Sequence, residues 1–230
     1  MGSTRLPGKP LADIAGKPMV VRVLEGLAGS VDSAVAATDD KRVADAVERA
    51  GFEAVMTGEA SSGTARVFMA WELLGRPGDV ILNVQGDEPL VCGSWTAPLL
   101  ETVPPDDRVL TLARRVRVRE ASGADTVKVA VTGKGEALYF SRFPVPHGSR
   151  EVLEHIGIYA FSPCSLQACA RCGETELSRT ERLEQLAWME YGVRITVLAG
   201  DFHGIGVDTP EDLRRVAEVF GSRREGIPGG

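Results

Sequence analysis

The chain has 230 residues, 43% of them hydrophobic and 25% charged, with a formal net charge of −6. That is enough to bury one sizeable core, and the acidic balance excludes a general nucleic-acid binder, which shows as a basic stripe or a high pI. The longest apolar stretches fall short of the roughly 20 residues a bilayer span needs, and no basic-then-apolar leader opens the sequence, so a cytoplasmic location without membrane contact is expected.

The first notable block is "STRLPGKPL" (3–11), a turn with two cations and exposed amides, suited to phosphate. It does not fit a P-loop. Five residues separate Gly2 from Gly8, and Pro10 stands where a Ser or Thr would hold magnesium. A phosphate loop in an α/β fold normally follows a buried strand, and only Met1 and Gly2 precede this one.

Apolar, β-branched runs then predict strands at 33–38, 79–84, 108–116, 126–131 and 194–199. Apolar residues at i, i+3/i+4 predict helices at 41–50, 64–74 and 179–192. This alternation implies an α/β fold, a Rossmann-like, mostly parallel sheet flanked by helices. From 126 to about 160 a Gly-Lys-Gly turn between strand-like runs, followed by a proline-rich loop, predicts a hairpin and flap subdomain. "CSLQACARC" (164–172) reads as a helix carrying reduced, partly buried thiols. Its spacing matches part of an iron–sulfur ligand set, but no fourth Cys follows. Near the end, "GVDTPEDLRRVAEVF" predicts a helix with Thr209 as N-cap, Pro210 at its first position and Glu211 and Asp212 in its first turn. Residues 1–220 are expected to form one domain, and 221–230 a disordered, glycine-rich tail.

Two stretches could place carboxylates for chemistry. "DVILNVQGDEPL" is an apolar run ending in Gln85, Gly86, Asp87, Glu88 and Pro89, which puts acids at the strand's carboxyl end, where open α/β sheets bind ligands. The alternative is a polar turn with solvated acids. Asp208 precedes a helix start and reads equally as an ordinary cap. Mg²⁺, however, takes one or two carboxylates plus substrate phosphates, and the chain offers two such acids and a cationic turn.

In order along the chain, "GSTRLPGKPL", "ATDD", "SSGTAR", "NVQGDEP", "ALYFSR", "HIGIY", "RLEQL" and "GVDTPEDL" resemble the CMP-Kdo synthetase family, the 3-deoxy-manno-octulosonate cytidylyltransferases. CMP-sialate synthetases share the opening motif. The resemblance implies that Arg5 and Lys9 grip the triphosphate of CTP and act in catalysis with Asp87. Amides around Ser3, Thr4 and Gly8 would complete the cradle. It implies that Asp87 and Asp208 hold Mg²⁺ and that Ser62, Gly63, Thr64 and Arg66 flank the cytidine. It further implies that Gln85, Arg142, His155, Tyr159, Glu184 and Gln185 serve the acidic acceptor, and that the chain forms a homodimer. The chemistry would be in-line attack of an acceptor oxygen on the α-phosphate with loss of pyrophosphate, driven by positioning and charge neutralisation without a protein nucleophile. A second Mg²⁺ would ride on the β- and γ-phosphates.

The sequence departs from this pattern in four places. The apolar strand that precedes the opening block in relatives is missing. This reads as a start set too late at an internal Met, in which case an extended chain should be the more soluble and active one. Only twelve residues, 143–154, separate Arg142 from His155, and Ala65 and Ala187 stand where an acid and an Arg are common. The short 143–154 segment and the missing Arg leave a second acceptor open, the small acid phosphonoformate of phosphinothricin-type antibiotic pathways. A non-catalytic nucleotide-binding relative is the alternative of another class.

Overall fold

The computed structural model describes residues 6–225. They begin with a single 3-10 turn (Lys9–Leu11) and the strands β1 (Asp13–Ile14) and β2 (Lys17–Pro18), followed by α1 (Met19–Leu27), β3 (Val35–Thr38), α2 (Lys41–Arg49), β4 (Glu53–Met56), α3 (Gly63–Leu73), β5 (Ile81–Val84) and α4 (Gly93–Thr102). The second half holds β6 (Arg108–Arg117), a short 3-10 turn, β7 (Lys128–Val131), β8 (Ala137–Ser141), β9 (Glu151–Phe161), α5 (Pro163–Ala170), α6 (Glu176–Glu181), α7 (Glu184–Glu190), β10 (Arg194–Ala199) and α8 (Pro210–Glu225). The expected α/β class is what forms. The chain gathers into two compact units, each assembled from separate stretches. One comprises residues up to Glu59, Gln85–Thr96 and the chain from His203; the other comprises Ala60–Val84 and Ala97–Phe202.

In the first unit, β1 and β2 form a minimal hairpin whose two turn residues, Ala15 (φ 52°) and Gly16 (φ 84°), both take left-handed backbone. That is the twist a two-residue hairpin requires. Arg22, buried on α1, holds the turn by donating to the carbonyls of Ile14 (3.0 Å) and Ala15 (2.8 Å), and its guanidinium lies 4.6 Å over the Phe220 ring. β3 and β4 pair in parallel, and Val20, Val21, Leu24, Ala36, Val43 and Val47 form the core of α1, α2 and this pair. A second core joins Ile14, Met19, Leu90, Val207 and Val216. It draws together three distant stretches, near residues 14, 90 and 207.

The second unit is built on a six-stranded sheet ordered β10-β6-β9-β7-β8, with β5 also paired to β9. Four strands, β5, β6, β7 and β10, run one way, while β8 and β9 run against them, so β9 makes antiparallel ladders with β5, β6 and β7. The hairpin expected around Gly-Lys-Gly is β7–β8. Tyr159, Phe161 and Trp188 stack edge-on at 5.1 and 5.7 Å, fastening α7 to β9.

Two expected helix boundaries move. The predicted helix over 179–192 is two helices, α6 and α7, broken at Arg182, which caps α6 in left-handed backbone (φ 56°). Polar ties to β8 hold the break: the Arg142 guanidinium donates to the carbonyls of Glu181 (2.7 Å) and Arg182 (3.3 Å), and the Glu181 carboxylate accepts from Arg142 N and Ser141 Oγ. α8 runs to Glu225, so residues 221–225 of the expected tail are helical. β9, α1, β4 and α4 are elements the periodicity does not pick out. α4 even carries Pro98 in its interior.

Gly204 shows how tightly the 203–208 stretch is seated. A methyl group there would lie 2.0 Å from Cη2 of the buried Trp95 ring, which is rigid and cannot yield. Gly204→Ala is therefore expected to lower unfolding free energy by about 1–3 kcal/mol. Urea melts check this, and an unchanged midpoint contradicts it.

Candidate functional site

The opening block forms a run of tight turns. Gly8 takes left-handed backbone (φ 70°), the amide of Lys9 donates to Leu6 O (3.1 Å), and those of Leu11 and Ala12 donate to Gly8 O (2.8 Å) and Lys9 O (3.1 Å). These turns direct Lys9 inward, where its side chain is only 11% exposed. Ser3, Thr4 and Arg5 lie outside the described residues.

After β5 the chain makes two successive turns, Glu88 N to Gln85 O (3.2 Å) and Val91 N to Glu88 O (3.1 Å), and Asp87 sits in the first of them. The amide of Val207 donates to Asp87 O (2.9 Å), so the stretch carrying Asp208 is tied directly to the stretch carrying Asp87. Below them, Leu90 and Val207 share one core. The two readings of Asp208 separate here. Thr209 and Asp212 form the cap of α8 by themselves: Thr209 Oγ1 accepts from Asp212 N (3.2 Å), and Asp212 Oδ2 accepts from Thr209 N (3.0 Å) and Asp208 N (3.3 Å). The Asp208 carboxylate is thus available for another role.

That role is shared with Asp87. Lys9 Nζ donates to Asp87 Oδ2 (2.6 Å) and to Asp208 Oδ1 (2.9 Å), one ammonium between two carboxylates brought from 78 and 199 residues away. Two carboxylates brought to one point repel, and the ammonium seated between them offsets that repulsion. Burial alone would pull Lys9 down, but its ion pairs with Asp87 and Asp208 outweigh that and raise its pKa. Among the described residues no group of three or more His, Cys, Asp or Glu side chains gathers as a ready-made metal cage. A pair of carboxylates is the donor set Mg²⁺ uses when substrate phosphates complete its shell.

The second unit holds most of the residues expected at the acceptor or the cytidine. Ser62 caps α3, accepting from Ala65 N (3.1 Å). Thr64 is fully buried and joins Glu184: its hydroxyl donates to Glu184 Oε1 (2.9 Å) and accepts from Asn83 Nδ2 (3.3 Å). Glu184 Oε2 is buried with no hydrogen-bond partner among the described residues. Tyr159 is buried in the same neighbourhood, and burial, with the Glu184 charge next in weight, holds its phenol well above its usual pKa. Gln185 is buried beside Glu184 at the start of α7.

His155 keeps some exposed surface, but its ring is packed between Phe140 (centroids 5.0 Å) and Tyr159 (5.4 Å), and this burial pulls it down to about 3. Its Nε2 lies 3.0 Å from Thr111 Oγ1. The single Thr111 hydroxyl proton goes to Ile158 O (2.7 Å), so His155 is the donor of the pair and carries its proton on Nε2. Arg142 is the outlier of the expected acceptor set. Its guanidinium is spent on the carbonyls of Glu181, Arg182 and Ala124 (2.8 Å). Its own carbonyl accepts from Lys128 Nζ (2.6 Å), a fully buried ammonium that also binds Gly123 O and Thr126 O, both at 2.9 Å.

Asn83, Thr111, Lys128 and Glu181 were not among the expected site residues. Asn83 and Lys128 carry a legible signal, a lone polar side chain inside the apolar runs "VILNV" and "VKVAV", since buried polar groups require partners. Thr111 and Glu181 carry none. The expected helix with thiols is α5. All four cysteines are free; Cys164 is exposed and Cys169 buried, the thiol of Cys169 pushed up by burial. No helix among the described residues is long and apolar enough to cross a membrane.

The sequence model of the family described as "Cytidylyltransferase" matches residues 1–195. Among curated proteins, the 3-deoxy-manno-octulosonate cytidylyltransferase of Anaeromyxobacter sp. (strain Fw109-5) is 43% identical over 226 residues, covering 95% of this chain and 93% of the relative. The enzyme of that name from Porphyromonas gingivalis (strain ATCC BAA-308 / W83) is 40% identical over 237 residues, covering 96% and 93%. Among solved structures, a CMP:2-keto-3-deoxy-manno-octonic acid synthetase complexed with CTP superposes with a TM-score of 0.86 at 38% identity, covering 96% of this chain and 95% of that one. HddC from Yersinia pseudotuberculosis, at a TM-score of 0.69 and 15% identity, shares the fold.

The His155 environment makes a pH prediction. Its folded value of about 3 lies below the ordinary 6.5, so the unfolded chain takes up the proton first as pH falls. Its contribution to stability is complete above about pH 6.5 and is lost on descent towards 3, at a limiting slope on the order of 1 kcal/mol per pH unit. Urea melts from pH 7 to 4 should show a shallower decline for His155→Phe than for the native chain; parallel declines refute the assignment.

Proposed function

This chain belongs to the cytidylyltransferase family, and from that we propose that it is a Mg²⁺-dependent enzyme transferring CMP from CTP to an acidic sugar of the 3-deoxy-manno-octulosonate type, releasing pyrophosphate. The observation that carries the reading is the convergence of Asp87 and Asp208 on one cation beside the turn of the opening block. Curated relatives at about 40% identity that bear the 3-deoxy-manno-octulosonate name, and the likeness to a synthetase solved with CTP, support the two substrates.

In this reading an acceptor oxygen attacks the α-phosphorus of CTP, a phosphorus–oxygen bond forms, and the bond to the pyrophosphate leaving group breaks. A bound Mg²⁺ supplies Lewis-acid neutralisation of phosphate oxygens. Asp87 and Asp208 would hold it, and the pair fits that task because both carboxylates already face a single positive charge. Lys9 neutralises charge gathering on the leaving phosphates. Arg5, with the amides around Ser3, Thr4 and Gly8, extends the same cradle. Ser62, Gly63 and Arg66 serve the cytidine, with Thr64 acting from beneath through Glu184 and Asn83. On the acceptor side, Gln85, His155, Tyr159, Glu184 and Gln185 supply hydrogen bonds. His155 does so as a neutral ring whose Nδ1 accepts, its one N–H being given to Thr111, since burial keeps the ring uncharged near pH 7. Arg142 acts by fixing the start of α7 through the carbonyls of Glu181 and Arg182.

Glu184 supports a polyol acid over phosphonoformate. Its buried Oε2 lacks a donor, and an unmet buried acceptor is costly unless a ligand supplies one. A sugar acid brings hydroxyl donors. Phosphonoformate near neutral pH brings anionic oxygens, which a buried carboxylate repels.

Two sets of variants test the reading. Asp87→Asn and Asp208→Asn should each cut turnover at least about 100-fold, the worth of a few kcal/mol of transition-state charge stabilisation, with the circular dichroism spectrum unchanged. Near-native rates would remove the acids from the reaction. Glu184→Gln exchanges the unmet acceptor for an amide; it should raise KM for 3-deoxy-manno-octulosonate about tenfold or more and leave KM for CTP nearly unchanged. A pyrophosphate-release assay of the native chain and this variant, with CTP against the sugar acid and phosphonoformate, reads both. Turnover of phosphonoformate alone would replace the sugar-acid reading.

A further inference from the structure

Lys9 stands where the two acids of the first unit need a positive charge, and this placement bears on the order of events as well as on the charge balance. Its Nζ is 2.6 Å from Asp87 Oδ2 and 2.9 Å from Asp208 Oδ1, with the side chain 11% exposed, so the ammonium is seated between the carboxylates and not waving beside them. The turns at Leu6–Ala12 fix the backbone from which it reaches, and the Val207–Asp87 backbone bond fixes the two acids relative to each other. A divalent ion binding the same oxygens would meet an ammonium held within hydrogen-bonding distance of them. The approach is repulsive until the ammonium leaves, and among the described residues its ion pairs are with these two acids. A triphosphate offers it another partner.

We propose that Lys9 is the resident counter-ion of the Asp87/Asp208 pair and makes divalent-metal binding conditional on nucleotide: the phosphates draw the ammonium off, and only then do the two carboxylates accept the metal. Lys9 thus has two successive partners, the acids in the free protein and the phosphates in the nucleotide complex. The protein without nucleotide binds divalent metal poorly although its two acids are already assembled. This rests on the reading of Asp87 and Asp208 as metal-holding acids.

The test measures Mn²⁺ binding by electron paramagnetic resonance in the absence of nucleotide. Lys9→Met keeps the length of the side chain without its charge, and it is expected to bind Mn²⁺ at least tenfold more tightly than the native chain. Adding Asp87→Asn to Lys9→Met should abolish the gain. Equal or weaker binding by Lys9→Met, where that binding still depends on Asp87, overturns the inference alone. Binding that is indifferent to Asp87→Asn in every protein, CTP present or absent, overturns the metal reading of the acids beneath it. Should Lys9→Met fail to fold, the native chain carries the test. With its lysines ¹³C-dimethylated and the Lys9 resonance assigned through Lys9→Arg, CTP in EDTA is expected to shift that resonance, and Mg²⁺ alone is expected to leave it in place. A shift by Mg²⁺ alone, or none with CTP, refutes the proposal.

Discussion

Two carboxylates that both stay ionised in a small, partly buried space need a cation between them, and the first unit is organised around meeting that constraint. Its second core gathers Ile14, Leu90 and Val207, and each of these lies a few residues from Lys9, Asp87 or Asp208. The Val207–Asp87 backbone bond then sets the spacing of the acids, and the turns about Gly8 aim the ammonium. Apolar burial supplies the stability and the polar groups supply the register. The division is economical because core residues and charged residues alternate along the same short stretches.

The second unit meets a different constraint, the burial of polar groups inside an aromatic core. Phe140, Tyr159, Phe161 and Trp188 make an environment in which a histidine stays neutral and a phenol stays protonated. Within it most polar atoms are satisfied locally, Thr111 by the Ile158 carbonyl and the His155 ring and Lys128 by three backbone oxygens and a hydroxyl. Glu184 Oε2 stands out against that background. In a core so fully paired, an unmet oxygen is more informative than it would be at a surface.

Much of the architecture is legible in the residues. The strands at β5, β6 and β10, the helices α2 and α3, the β7–β8 hairpin and the Thr209 cap all follow from periodicity and turn chemistry. α1 is not among the predicted helices, although Val20, Val23, Leu24 and Leu27 of "MVVRVLEGL" recur at helical spacing, because Val20, Val21 and Val23 are β-branched and locally favour strand. The break at Arg182 escapes because its causes, Arg142 and Glu181, act across a distance that no local pattern records. The pairing of Asp87 with Asp208 could be anticipated only through family likeness, since 120 residues separate them. The role of Asp208 could not be resolved locally at all, because Asp-Thr-Pro-Glu is an adequate cap on paper.

The Thr209–Asp212 box has a consequence for how this stretch can drift. Because the cap is complete without the Asp208 carboxylate, the last helix itself makes little demand on the side chain at 208, whose charge answers Lys9 instead. A lineage that no longer needed the chemistry could lose this acid and keep its last helix. An aspartate here is therefore a marker of retained use, whereas Thr209 and Asp212 would persist in a descendant that only folds.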